Sequence, residues 1–156
     1  MECEFEKIMA SKINEAKECM TYDKLKKCEV AVNTAKSVIN INGFRSEQEI
    51  NSIPISATQI KMVLTLGKIF KQEVTEDIAK ERIIMSVDDL KKENLSEETI
   101  STEWLNSAET MTGVTAWICW KIAIEFAQLY REESAQYSGE ESLSTVFFKA
   151  LMGEDK

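Results

Sequence analysis

There is no histidine anywhere in the 156 residues. That absence removes the side chain whose unperturbed pKa lies nearest neutrality and the commonest imidazole metal ligand. Ser-His-Asp and Cys-His nucleophilic sites, histidine-bearing zinc sites and Glu-x-x-His di-iron sites are therefore excluded. Proline is nearly missing as well: Pro54 stands alone, beside only five glycines. Sandwiches and barrels need far more turn residues than this, so the scarcity points to helices. The four cysteines, Cys3, Cys19, Cys28 and Cys119, include no Cys-x-x-Cys pair. Free thiols in a reducing cytoplasm are the expectation, without a zinc or thioredoxin-like motif. Gly-x-x-x-x-Gly-Lys-Ser/Thr, Gly-x-Gly-x-x-Gly and Gly-x-Ser-x-Gly are all absent, which leaves neither a phosphate cradle nor a nucleophile elbow.

Long apolar runs are lacking too. The most apolar window, 113–127 (GVTAWICWKIAIEFA), is interrupted by Lys121 and Glu125 and falls short of the roughly 20 residues that span a bilayer. It reads as a buried central helix, and no membrane role is expected. The opening Met-Glu-Cys-Glu-Phe-Glu has acid where a secretory signal has base, again favouring the cytoplasm.

What is present is a 44% hydrophobic chain, enough to fill the core of one domain over 1–156 without a metal or disulfide. The expected fold is all-α, a compact bundle of about six to eight helices. Phe5, Ile8, Met9, Ile13, Ala16 and Met20 make one stripe over about 4–20. After Thr21-Tyr22-Asp23, Leu25, Cys28, Val32, Ala35, Val38 and Ile39 continue helical spacing to about Ile41, where Asn42-Gly43 suits a left-handed cap. Residues 44–52 are polar and precede Pro54, which predicts a connection of about ten residues. Ser56 and Gln59 match a capping box that starts a helix through Phe70, and Gly67 within it suggests a close crossing with another helix.

Thr75 can cap a short helix to Met85, and Ser86 with Asp89 matches a further N-terminal box, so short or broken helices are expected there. Ile100, Trp104, Leu105 and Ala108 suggest a surface helix within 94–112. A long helix should cover 111–130 or beyond, with a break at Ser138-Gly139-Glu140-Glu141 and a terminal helix bearing Leu143, Val146, Phe147, Ala150 and Leu151. The Val146-Phe147 face could close internally or form a homodimer.

The formal charge is −8, from 19 basic and 27 acidic residues. Residues 71–112 carry 5 basic and 11 acidic residues, while 1–36 carry 7 of each. The concentrated acidity could be a solvated face, or it could dock a basic partner through Glu73, Glu76, Asp77, Asp88, Asp89, Glu93, Glu97, Glu98, Glu103 and Glu109. Direct nucleic-acid binding is not expected of such a chain. Glu73, Asp77 and Glu81 are spaced by four, but no calcium-loop glycine accompanies them, so no metal or other cofactor is assigned. Trp117 and Trp120, three apart, lie on a face with Val114 and Ile124 that belongs to core, to an interface or to an apolar pocket.

Two patches carry a family resemblance. Ser52-Ile53-Pro54-Ile55 with Gln59, Met62-Val63 and Leu66-Gly67-Lys68-Ile69-Phe70, and Gly113 with Ile118-Cys119-Trp120-Lys121-Ile122-Ala123 and Phe126-Ala127, resemble a bacterial all-helical domain of unknown function often fused behind a GTPase domain. The resemblance implies a helical module that accompanies a nucleotide switch, and it carries no catalytic residue. The family is usually glycine-rich and apolar between these patches, whereas 86–112 here is polar and acidic. The expected function is a non-catalytic protein-interaction or regulatory module. The alternatives are a small acidic inhibitor, of the phage or mobile-element kind, that blocks a basic nucleic-acid-binding surface, and an apolar-ligand-binding helical protein.

Overall fold

The computed structural model describes residues 4–44, 46, 48–50, 53–92 and 108–141. Five helices and one small hairpin are present among them: α1 (Glu4–Cys19), α2 (Tyr22–Asn42), β1 (Gln48–Ile50), β2 (Ile53–Ile55), α3 (Ala57–Ile69), α4 (Glu76–Lys92) and α5 (Ala108–Glu141). The chain divides into two compact units, Met1–Phe126 and Ala127–Lys156. In the second unit the described part is the C-terminal portion of α5. The surface helix expected within 94–112 lies outside the described residues as far as 107, while 108–112 belong to α5, and the terminal helix expected over 143–151 lies outside them.

The N-terminal helices follow the sequence spacing closely. Ala16 of α1 is fully buried, and Ile8, Met9 and Ile13 are half-buried on the same stripe. Thr21 caps α2 by accepting the Lys24 amide on Oγ1 at 3.3 Å, satisfying one donor that the first helical turn leaves open. Leu25, Cys28, Ala31, Val32, Ala35 and Ile39 form the buried face of α2. Gly43 ends it at φ 79 and ψ 167, its amide bonded to the Ile39 carbonyl at 2.8 Å. The positive φ agrees with the expected glycine cap, but the ψ lies outside the left-handed helical region.

Between α2 and α3 the all-helical expectation fails locally. Part of the anticipated connection is β1, paired antiparallel with β2 in the register Gln48↔Ile55, Glu49↔Pro54, Ile50↔Ile53. Pro54 removes one ladder donor, which a two-stranded hairpin tolerates. Ile53 and Ile55 are buried, so β2 supplies core side chains as well as backbone pairing.

The Ser56–Gln59 box forms in full. Ser56 Oγ accepts the Gln59 amide at 3.2 Å, and Gln59 Oε1 accepts the Ser56 amide at 3.1 Å. Gln59 Nε2 then donates to Thr115 Oγ1 of α5 at 3.2 Å, so a buried amide is used at both ends. At the other end of α3, Gln72 N bonds to the Gly67 carbonyl at 2.8 Å and Lys71 N to the Lys68 carbonyl at 3.4 Å. These are the two bonds of a Schellman motif, with Lys71 at φ 57 where glycine is usual. Gly67 is therefore close to the chain's own continuation, Gln72 and Val74, rather than to the crossing helix that its position suggested.

α4 is a single helix of 17 residues, not two short ones. Thr75 caps it through an Oγ1 bond to the Ile78 amide at 3.2 Å. Ser86, expected to start a new helix, is buried in mid-helix, because Ile83, Val87 and Leu90 prolong the stripe begun by Ala79. α5 likewise runs on through Ser138-Gly139 to Glu141, past the expected break.

The part of α5 within the first unit is its axis. Val114, Trp117, Ile118, Cys119, Ile122, Ala123 and Phe126 are all buried. Contacts reach it from α1 (Lys12 over the Trp117 ring, 5.3 Å), α2 (the Cys28 carbonyl, 4.0 Å from Cys119 Sγ) and α4 (Trp117 Nε1 to the Ser86 carbonyl, 2.7 Å). The two charges that interrupt the apolar window face α4: Glu125 pairs with Arg82 at 3.0 Å and Lys121 with Asp89 at 3.3 Å. No helix among the described residues is long and apolar enough to cross a membrane.

Candidate interaction groove

α2 and α3 run antiparallel, since Lys24 at the start of α2 donates to the Ile69 carbonyl at the end of α3 at 3.3 Å. On their outer side lies an open groove of about 850 Å³. Its α2 wall is Lys27, Val30, Ala31, Thr34, Ala35 and Val38, a run at helical spacing beside the stripe buried in the core. Its α3 wall includes Ala57, Ile60, Lys61, Leu64, Thr65 and Ile69, and Glu76 closes one end. Val30 is 66% exposed and Val38 36%. Val38, expected in the core with Ile39, therefore faces out: Ile39 takes the inward position and the next residue turns by about 100°.

Sequence reasoning assigned α2 one apolar stripe where the structure shows two. The signal was the Val30–Thr34–Val38 spacing of four, masked by the stronger Leu25–Cys28–Val32–Ala35–Ile39 pattern on the neighbouring face. Lys61 of the α3 wall has no ion-pair partner among the described residues, and Lys27 pairs only with the exposed Asp23 at 3.3 Å. The groove thus has an apolar floor, two lysines along its length and one carboxylate at its end.

Among the described residues, the side chains of the expected acidic face stand in two separate places. Glu73 is exposed in the α3–α4 connection, and Glu76 and Asp77 are exposed in the first turn of α4, where negative charge complements the helix N-terminus. Asp88 and Asp89 are half-buried near the far end, about 16 Å from Asp77 along the helix axis. Residues 71–92 carry five basic and six acidic side chains, so the described part of this segment is nearly neutral. The remaining acidic excess belongs to Glu93, Glu97, Glu98 and Glu103, which lie outside the described residues, and to Glu109, in the first turn of α5 with its side chain outside them.

Trp117 and Trp120 are 1% and 4% exposed, and neither lines the groove. The indole of Trp117 is held by the Ser86 carbonyl and by the Lys12 ammonium; both rings serve as core. Burial pushes the Cys28 thiol up to about 12 and the Cys119 thiol well above its ordinary value, which suppresses the thiolate that a nucleophile or metal ligand needs. Among the described residues no group of three or more cysteines or carboxylates is placed to hold a metal ion. No family model matches the chain, and no curated protein or solved structure matches it significantly.

Proposed function

We propose that the chain is a helical interaction module of the cytoplasm that presents the α2/α3 groove to a protein partner. The observation behind this reading is the groove itself: Val30 and Val38 stay exposed beside a well-filled core, and contiguous exposed apolar surface marks interaction sites. An accompanying role beside a GTPase is the particular setting that the resemblance at 52–70 and 113–127 suggests. The acidic-inhibitor alternative rests on a different feature, the acidic excess of 71–112, five of whose carboxylates lie in 93–109.

The test is site-specific photocrosslinking in the native cell, with the probe at Thr34 or Lys61 in the groove and at Met85, exposed on α4, as control. The reading expects one partner captured from both groove positions, absent from the control and lost in Val30→Glu/Val38→Glu. Equal capture at all three positions contradicts it.

A further inference from the structure

From the charge and dimensions of the α2/α3 groove we infer its occupant: an amphipathic α-helix of a partner protein whose apolar stripe is flanked by carboxylates. The inference rests on the proposed function and names the partner's chemistry. Lys27 and Val38 are eleven residues apart on α2, so the wall is about 16 Å long, which matches three turns of a docked helix. Apolar side chains at i, i+3 or i+4 and i+7 fill such a wall without leaving backbone groups unpaired, because a helix satisfies its own ladder.

Charge selects among helices. Lys61, without an ion-pair partner among the described residues, and Lys27, engaged only at the exposed surface by Asp23, stand beside the apolar floor. A carboxylate flanking the partner's stripe meets one or both of them at the partly desolvated groove edge, where a charge pair is worth more than in open water. Glu76 at the groove's end sits in the first turn of α4, where the helix N-terminus offsets its charge. A second copy fits less well: a two-fold contact through this groove brings the Lys27 and Lys61 side chains of both protomers to one interface, and like charges juxtaposed there oppose association. A chain of net charge −8 is also repelled by anionic lipid surfaces.

Two peptides of about 18 residues, each with leucines at i, i+4, i+7 and i+11, test the inference by fluorescence anisotropy. One has glutamates flanking the stripe and the other lysines. The glutamate peptide is expected to bind roughly tenfold more tightly, with the difference shrinking in salt. Lys27→Glu/Lys61→Glu should invert the preference, and Val30→Glu/Val38→Glu should abolish binding of both peptides while the helical circular dichroism is retained. If both peptides bind equally and still need Val30 and Val38, the carboxylate-flank inference falls and the groove reading stands. If neither peptide binds, or binding ignores Val30 and Val38, the groove reading falls with it. A dimer in light scattering that Val30→Glu/Val38→Glu dissociates overturns the inference in favour of a second copy.

Discussion

Gly67 offers a test in which two known effects oppose each other. Alanine is a better helix former than glycine by about 1 kcal/mol, so propensity alone makes Gly67→Ala stabilising. The local geometry argues the reverse. A Cβ at this position falls 2.7 Å from Val74 Cγ2 and 3.0 Å from the Gln72 carbonyl oxygen. Valine is stiff about χ1, and the Gln72 backbone is fixed by its 2.8 Å bond to the Gly67 carbonyl. Neither neighbour yields easily, so the upper part of the usual overpacking cost, about 2–3 kcal/mol, applies. The net expectation is a loss of about 1–2 kcal/mol, or a Tm lower by about 3–6 °C for a chain of this length. In a Val74→Ala background Cγ2 is gone and the loss should shrink by about 1 kcal/mol in a urea double-mutant cycle. A Gly67→Ala protein as stable as the parent, or strict additivity with Val74→Ala, would refute the reasoning.

Three further outcomes follow from individual side chains. Lys71 adopts φ 57, so Lys71→Gly should raise stability by up to about 1 kcal/mol; a lower urea midpoint contradicts this. Ser86 Oγ is buried with no hydrogen-bond partner among the described residues, and Ser86→Ala keeps the backbone carbonyl that holds Trp117, so it should stabilise by about 0.5–1.5 kcal/mol. A destabilised variant would mean that the hydroxyl is satisfied after all. The Cys28 thiol, ordinarily near 9.0, is pushed up to about 12 by burial. The native state therefore holds its proton longer than the unfolded chain, and its stabilisation is complete below pH 9 and lost as pH rises from 9 toward 12. The urea midpoint should fall as pH rises from about 9 toward about 12, and Cys28→Ala should flatten part of that slope; an identical slope in the variant contradicts the assignment.

Local physics made much of the first unit legible. The Thr21-Tyr22-Asp23 break, the Thr75 cap, the Ser56–Gln59 box and the buried character of 113–127 follow from side chains that act within one or two turns, and the structure adds that Thr21 itself caps α2. The misreadings came from choices that tertiary contacts decide. Ser86-x-x-Asp89 has the residues of a helix start, yet Ile83 and Leu90 bury the position and the helix continues. Residues 48–50 carry too few apolar side chains to announce a strand, and β1 exists because the Ile53-Pro54-Ile55 segment gives it a partner. The groove escaped for a related reason: Val38 and Ile39 are adjacent and both apolar, and only the packing of α2 on α3 decides which of them faces out.

The central claim is that Val30 and Val38 serve recognition rather than folding. The direct measurement pairs the Tm of Val30→Glu/Val38→Glu with its affinity for the glutamate-flanked peptide. Exposed substitutions usually shift stability by no more than about 0.5 kcal/mol each, so the account predicts a Tm within about 3 °C of the parent and at least a tenfold loss of binding. A collapse in Tm comparable to a core substitution, or peptide affinity unchanged in the variant, would contradict it.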